Sequence, residues 1–257
     1  MRFLSAAHTD TGISKKINQD AFTLKTASAS GHNIAFAVLC DGMGGLKQGE
    51  LASAFVINAF SGWFVNEFSR LAVSGRFDFE AIKKRWNDII QDQGKKILSY
   101  GQHNSISLGT TLTALLCVDN NFIFAQVGDS RIYRINSAFS QITRDHTVVA
   151  FELENKRITP EQAKTDSRKN ILLQCIGASK TIVPDFGTGT FSPGEAFLLC
   201  SDGFRHEIND NEFMGVLSTE LLTSERVMKK SLIDLVELNK SRGEKDNITA
   251  LIIKGIE

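Results

Sequence analysis

The 257-residue chain predicts an α+β protein, with antiparallel sheets and helices packed outside them. Three observations carry this. Apolar runs of strand length come in groups, separated by tight turns. Helical periodicities come in groups too. No regular alternation of strand and helix links them, which argues against a parallel sheet. With 42% hydrophobic and 23% charged residues, one globular domain over 1–257 is expected, large enough to bury a core without staples.

Residues 21–26 and 33–40 read as two strands joined by a Ser/Gly loop. From Glu50 the period changes. Ala52, Phe55, Val56, Ala59, Phe60, Trp63 and Phe64 fall on one helical face, an aromatic stripe of core type. Gly75 ends this helix, and Asp78 caps a second one carrying Phe79, Ile82, Trp86, Ile89, Ile90 and Ile97. Three short strands follow at 110–118, 122–127 and 131–135, linked so tightly that they are expected to pair as antiparallel neighbours. Residues 145–170 are dominated by charge and read as a surface insertion with one short helix starting near Pro160. Strands resume at 186–191 and 195–200. Helical patches follow at about 208–217 and 222–240, and strand 247–254 closes the chain.

Lys+Arg and Asp+Glu both number 29, and the longest basic clusters are pairs such as Lys83-Lys84 and Lys229-Lys230, so no clustered basic charge points to a nucleic-acid partner. Cys40, Cys117, Cys175 and Cys200 lack CxxC spacing and read as buried free thiols of a reducing compartment. The first twelve residues hold no basic segment followed by a long apolar one, and no run reaches membrane-span length. A cytoplasmic monomer without membrane association is the expectation.

Four acidic turns sit at the ends of apolar runs: Asp41-Gly42, Gly128-Asp129, Asp202-Gly203 and Asp246-Asn247. Any one alone reads as a turn residue bonding its own backbone. Four at strand ends suggest carboxylates whose repulsion a bound cation relieves. With Asp20 and the Gly42 carbonyl, the candidate donors are all oxygens, which select Mg²⁺, Mn²⁺ or Ca²⁺. There is no HExxH motif, no Cys/His cluster and no EF-hand loop. Ligands spread over the whole chain suit a two-metal centre assembled by the fold.

Taken in order, the motifs resemble those of the PPM family, the metal-dependent Ser/Thr protein phosphatases of type 2C, in its compact bacterial form. They are Asn18-Gln19-Asp20, Asp41-Gly42-Met43-Gly44-Gly45, Gly109-Thr110-Thr111, Gly128-Asp129-Ser130-Arg131, Thr143-Arg144-Asp145-His146, Leu198-Leu199-Cys200-Ser201-Asp202-Gly203 and Asp246-Asn247-Ile248-Thr249. The resemblance covers about Thr11 to Ile253 and implies an α-β-β-α sandwich of two antiparallel sheets. It implies two Mn²⁺ or Mg²⁺ ions per active site, with a third, weaker ion. Asp41 would bridge the pair with the Gly42 carbonyl on one ion. Asp202 and Asp246 would hold the second, and Asp129 with Asp202 the third. Asp20 would act from behind them, and Asn247 would orient Asp246. Attack on phosphorus by a hydroxide bridging the ions is the implied reaction, with phosphoserine or phosphothreonine in proteins as substrate, opposing a Ser/Thr kinase. Segment 145–170 would be a flap.

Three positions depart from that pattern. Lys15 stands where an Arg often grips the substrate phosphate, and offers a point charge instead of a fork. Gln19 replaces a common Glu. Met43 stands where some members carry a His acid, as it does in many bacterial members. Arg131 reads as an ion-pair partner for the fold, and His146 as a structural residue below the flap. His8, His32, His103 and His206 show no motif and read as surface residues. Two other functions stay open at this level: a non-catalytic partner-binding domain, and a phosphatase of small phosphoesters.

Overall fold

The computed structural model describes residues 1–43 and 48–257. Gly44 and Gly45 of the first glycine-rich motif lie outside the described residues. Among the described residues, ten strands form two five-stranded antiparallel sheets. One sheet holds β1 (Arg2–Asp10), β10 (Ile248–Ile256), β9 (Ala196–Cys200), β6 (Arg131–Ile135) and β7 (Phe139–Gln141), in that spatial order. The other holds β2 (Ala21–Ala29), β3 (His32–Cys40), β4 (Leu112–Val118), β5 (Asn121–Val127) and β8 (Asp185–Thr190). Helices α1 (Gly49–Trp63), α2 (Ser69–Ser74) and α3 (Phe79–His103) lie on the β2–β8 side; α6 (Asp210–Leu217) and α7 (Glu225–Ser241) lie on the other. Two short helices, α4 (Val148–Glu154) and α5 (Pro160–Thr165), lie in the charged segment 145–170. No helix among the described residues is long and apolar enough to cross a membrane.

The continuous apolar runs have a simple cause. Inner strands are buried on both faces. On β3, Ile34, Phe36, Val38 and Cys40 pack toward the helices, while Ala35, Ala37 and Leu39 pack between the sheets. β10 divides likewise, Ala250 and Ile252 toward α7, Leu251 and Ile253 inward. The resulting four layers are the α-β-β-α sandwich expected from the resemblance.

The helix signals were legible. Asp78 caps α3 by accepting from the N–H groups of Glu80 and Ala81. Gly75 ends α2 in the left-handed region at φ 64°. The first helix does not run unbroken: a π-helical turn, Phe64–Phe68, separates α1 from α2. That turn stacks Phe64 on Phe36 at 4.7 Å, beside Trp63 and Trp86. Phe55 departs from the expected core stripe: it is 38% exposed and meets Tyr100.

One pairing expectation fails. β5 and β6 are joined by the short Gly128–Ser130 turn, yet they belong to different sheets: β5 pairs with β4 and β8, β6 with β7 and β9. The turn carries the chain across the sandwich. Gly128 sits at φ +104°, and a Cβ there would lie 2.5 Å from Thr111. The crossing leaves the carbonyls of Gly128 and Ser130 outside any ladder, and buried Gln126 Nε2 donates to both, at 3.2 and 2.5 Å. β1 and β7 went unread, since their polar sequences lack the apolar run of an inner strand. Segment 145–170 holds two helices rather than one. Thr147 caps α4, and Thr159 with Gln162 forms a capping box on α5.

Candidate active site

Antiparallel pairing decides where the aspartates go. Cys40 at the end of β3 pairs with Ala21 at the start of β2, so Asp41 and Asp20 share one end of that sheet. Leu112 opposite Val127 puts Thr111 and the Gly128-Asp129 turn at the same end. In the other sheet, Ala250 pairs with Cys200, which brings Asp202, just past β9, beside Asp246, just before β10. A cavity of about 320 Å³ opens there, lined by Asp41, Asp129, Asp202, Asp246, Lys15 and Met43, with Thr111, Asn170 and Leu172 completing the wall.

Local bonds hold each piece. The Asp41 N–H donates to Thr111 Oγ1 and its carbonyl accepts from the Thr111 N–H, both at 2.9 Å; Thr110 Oγ1 donates to the same carbonyl. This is what the small residues before β4 do. Gly42 is pressed between backbones, and a Cβ there would lie 2.5 Å from the carbonyl oxygens of Gln19 and Gly49. Its N–H donates to the Gln19 carbonyl. The Gln19 side chain turns to Glu50 instead, donating at 3.2 Å. Asp246 is oriented by the backbone N–H of Asn247, at 2.8 Å. The Asn247 side chain pins the 11–19 loop, accepting from the Gln19 N–H and donating to the Thr11 and Ile17 carbonyls.

The buried carboxylates of this site crowd one another. Burial, with the charges of Asp202 and Asp246, pushes the Asp20 carboxyl up to about 7. Both its oxygens are shut from solvent, with no partner in full hydrogen-bond geometry, although the Thr249 and Ser201 hydroxyls lie close enough to pull its value down. Burial and then the fields of Asp20, Asp202, Asp129 and Asp246 hold Asp41 well above the usual carboxylate range. Burial and Asp202 push Asp129 up to about 7 against the pull of Arg205. Orphaned buried carboxylate oxygens and a set of oxygen-only donors fit hard divalent cations. No group of three or more Asp, Glu, His or Cys side chains among the described residues closes on a single point. One or two carboxylates per ion, with water filling the remaining positions, is the donor set Mg²⁺ takes.

Lys15 reaches the cavity and ion-pairs with Asp246 at 3.0 Å. Arg131 grips Asp145 through Nε and Nη2, as its fold role predicts. Buried His146 accepts the Gly128 N–H at Nδ1 and meets Asp185 at Nε2, so it braces the crossing turn. His206 is a correction. It is largely buried, its Nε2 lies 3.5 Å from Asp202 and its Nδ1 3.0 Å from Glu244. Glu244 and Arg205 were also missed; Arg205 stands 3.8 Å from both Asp129 and Asp145. Only the position of Arg205 and His206 directly after Asp202-Gly203-Phe204 could have flagged them.

A two-sheet sandwich with a carboxylate-lined pocket at one end is the architecture that the resemblance to the metal-dependent phosphatases implies. The family model "Protein phosphatase 2C" matches residues 7–246, and the chain belongs to that family. It is 30% identical over 225 residues to the serine/threonine phosphatase Stp of Listeria monocytogenes, covering 86% of this chain and 85% of that one. The S. agalactiae serine/threonine phosphatase structure superposes with a TM-score of 0.83 at 28% identity, over 99% of this chain and 100% of that one. The catalytic domain of the phosphatase PstP, solved with two manganese ions, aligns with a TM-score of 0.77 at 26% identity, over 99% of each chain.

Proposed function

We propose that this chain is a metal-dependent Ser/Thr protein phosphatase acting on phosphoserine and phosphothreonine. The observation that carries the reading is the convergence of Asp41, Asp129, Asp202 and Asp246, from both sheets, on one cavity with Asp20 buried among them. Mn²⁺ or Mg²⁺, two ions with a third weaker one, would supply an activated water and neutralise phosphoryl oxygens. Asp41 and the Gly42 carbonyl would hold the pair from the β3 end. Asp202 and Asp246 would hold one ion from the β9–β10 end, and Asp129 with Asp202 would hold the third. Asp20 adds a buried negative charge behind them. Lys15 swings from Asp246 to the phosphate as the substrate's own charge arrives. Met43 contributes an apolar wall and no proton.

The whole chain works as one phosphatase domain and as a monomer in the cytoplasm, with the 145–170 flap bordering the cavity. Its reaction opposes that of a Ser/Thr kinase by releasing the phosphoryl group to water. The test is hydrolysis of a phosphothreonine peptide with added Mn²⁺, lost on chelation. Asp41→Asn should lower kcat by about a thousandfold or more while circular dichroism stays native. Near-normal turnover in that variant would refute the metal assignment.

A further inference from the structure

Beside the catalytic cavity lies a second cleft of about 480 Å³. Asn170 lines both spaces. Part of its wall is apolar: Val149, Ala150 and Leu153 of α4, with Pro160 and Ala163 of α5. Most of the rest is cationic: Arg131, Arg205, Lys164 and Lys169, with His206. A single carboxylate, Asp145, lines it. Arg131 already grips that carboxylate at 2.7 Å, and Arg205 reaches it at 3.8 Å. Neither Lys164 nor Lys169 is held in an ion pair among the described residues. The flap carboxylates Glu152 and Asp166 are taken by Arg157 and Arg168, and Glu161, one turn before Lys164, does not line the cleft. A cationic cleft with an apolar wall therefore adjoins an acidic cavity. Their seam is Arg205 against Asp129 and His206 against Asp202. Such a cleft concentrates anionic ligands and rejects cationic ones.

We propose that this cleft receives the substrate segment flanking the phosphoresidue and selects segments carrying an acidic group beside an apolar residue. The acidic group is a carboxylate or a second phosphoester. The inference rests on the phosphatase reading of the neighbouring cavity. It is tested with matched phosphothreonine peptides carrying Glu, Gln or Lys, scanned on either side of the phosphoresidue, and a doubly phosphorylated peptide. Turnover is measured with Mn²⁺ at low and high salt. Binding is measured separately by fluorescence anisotropy on metal-free protein.

Glu peptides should exceed Lys peptides by about three- to tenfold in kcat/KM, the scale of a few partly exposed ion pairs, and the gap should shrink at high salt. The double variant Lys164→Glu/Lys169→Glu should reverse the order while hydrolysis of p-nitrophenyl phosphate is unchanged. A doubly phosphorylated peptide outrunning the Glu peptide identifies a phosphoester as the preferred ligand; the opposite ranking identifies a carboxylate. Equal turnover and equal binding across the charge series, or an unaltered order in the double variant, overturns the proposal. Charge-selective binding without hydrolysis of any peptide keeps the cleft and removes the phosphatase reading instead.

Discussion

His206 and Glu244 pair at 3.0 Å between Nδ1 and Oε2, and together they link two aspartates that the chain separates widely. On one side, His206 Nε2 stands 3.5 Å from Asp202. On the other, Glu244 Oε1 accepts the N–H groups of Lys245 and Asp246, at 2.6 and 2.8 Å. Glu244 is buried, so its charge needs these partners. Asp202 and Asp246 are thus oriented through one shared pair. Partners of this kind typically change metal affinity by about 10–100-fold when removed. Glu244→Gln and His206→Gln should each weaken Mn²⁺ binding by isothermal titration calorimetry within that range. The two losses should not add, because both variants break one link. Fully additive losses would show that the residues act separately.

Stability of the metal-free protein should fall as pH rises from about 4 to about 7. Asp20 and Asp129 carry folded-state values of about 7, above their unfolded value near 4. Between those limits the folded chain holds more protons than the unfolded one, so raising pH favours unfolding. Added Mn²⁺ binds the ionised folded site and should raise Tm more at pH 8 than at pH 5. Differential scanning fluorimetry with and without chelator checks both statements. An equal Mn²⁺ increment at the two pH values would contradict this account.

Lys15 faces Asp246 and the cavity as a single ammonium. Lys15→Ala should raise KM for a phosphopeptide by about three- to tenfold with a smaller change in kcat, since it removes binding charge and no proton-transfer group. Lys15→Arg should retain or improve KM through a bidentate grip on phosphate. Steady-state kinetics of the three proteins decide it; an unchanged KM in Lys15→Ala would make Lys15 a mere counter-ion of Asp246.

Gly128 is required twice, by its φ of +104° and by Thr111 at 2.5 Å from any Cβ. Gly128→Ala should cost about 2–6 kcal/mol, the sum of backbone strain and overpacking. Urea unfolding at equilibrium measures it. Because the turn positions Asp129, Mn²⁺ affinity should fall alongside stability.

The amino-acid sequence by itself determined most helices, most inner strands and the donor types gathered at the candidate site. Periodicity is a local property, and Asp78 and Gly75 punctuate it. Seven ordered motifs were enough to name the family, and oxygen-only donors pointed to a hard divalent cation. Only the tertiary structure decided which strands are neighbours. A strand buried on both faces, such as β5, shows the same apolar run whichever sheet receives it, so a short turn could not reveal that β6 crosses the sandwich. The edge strand β1 stayed unread because its ladder with β10 is made of backbone bonds to a partner at the far end of the chain. His206 and Glu244 stayed unread for a related reason: a buried ion pair exists only once the fold removes water from two residues 38 positions apart.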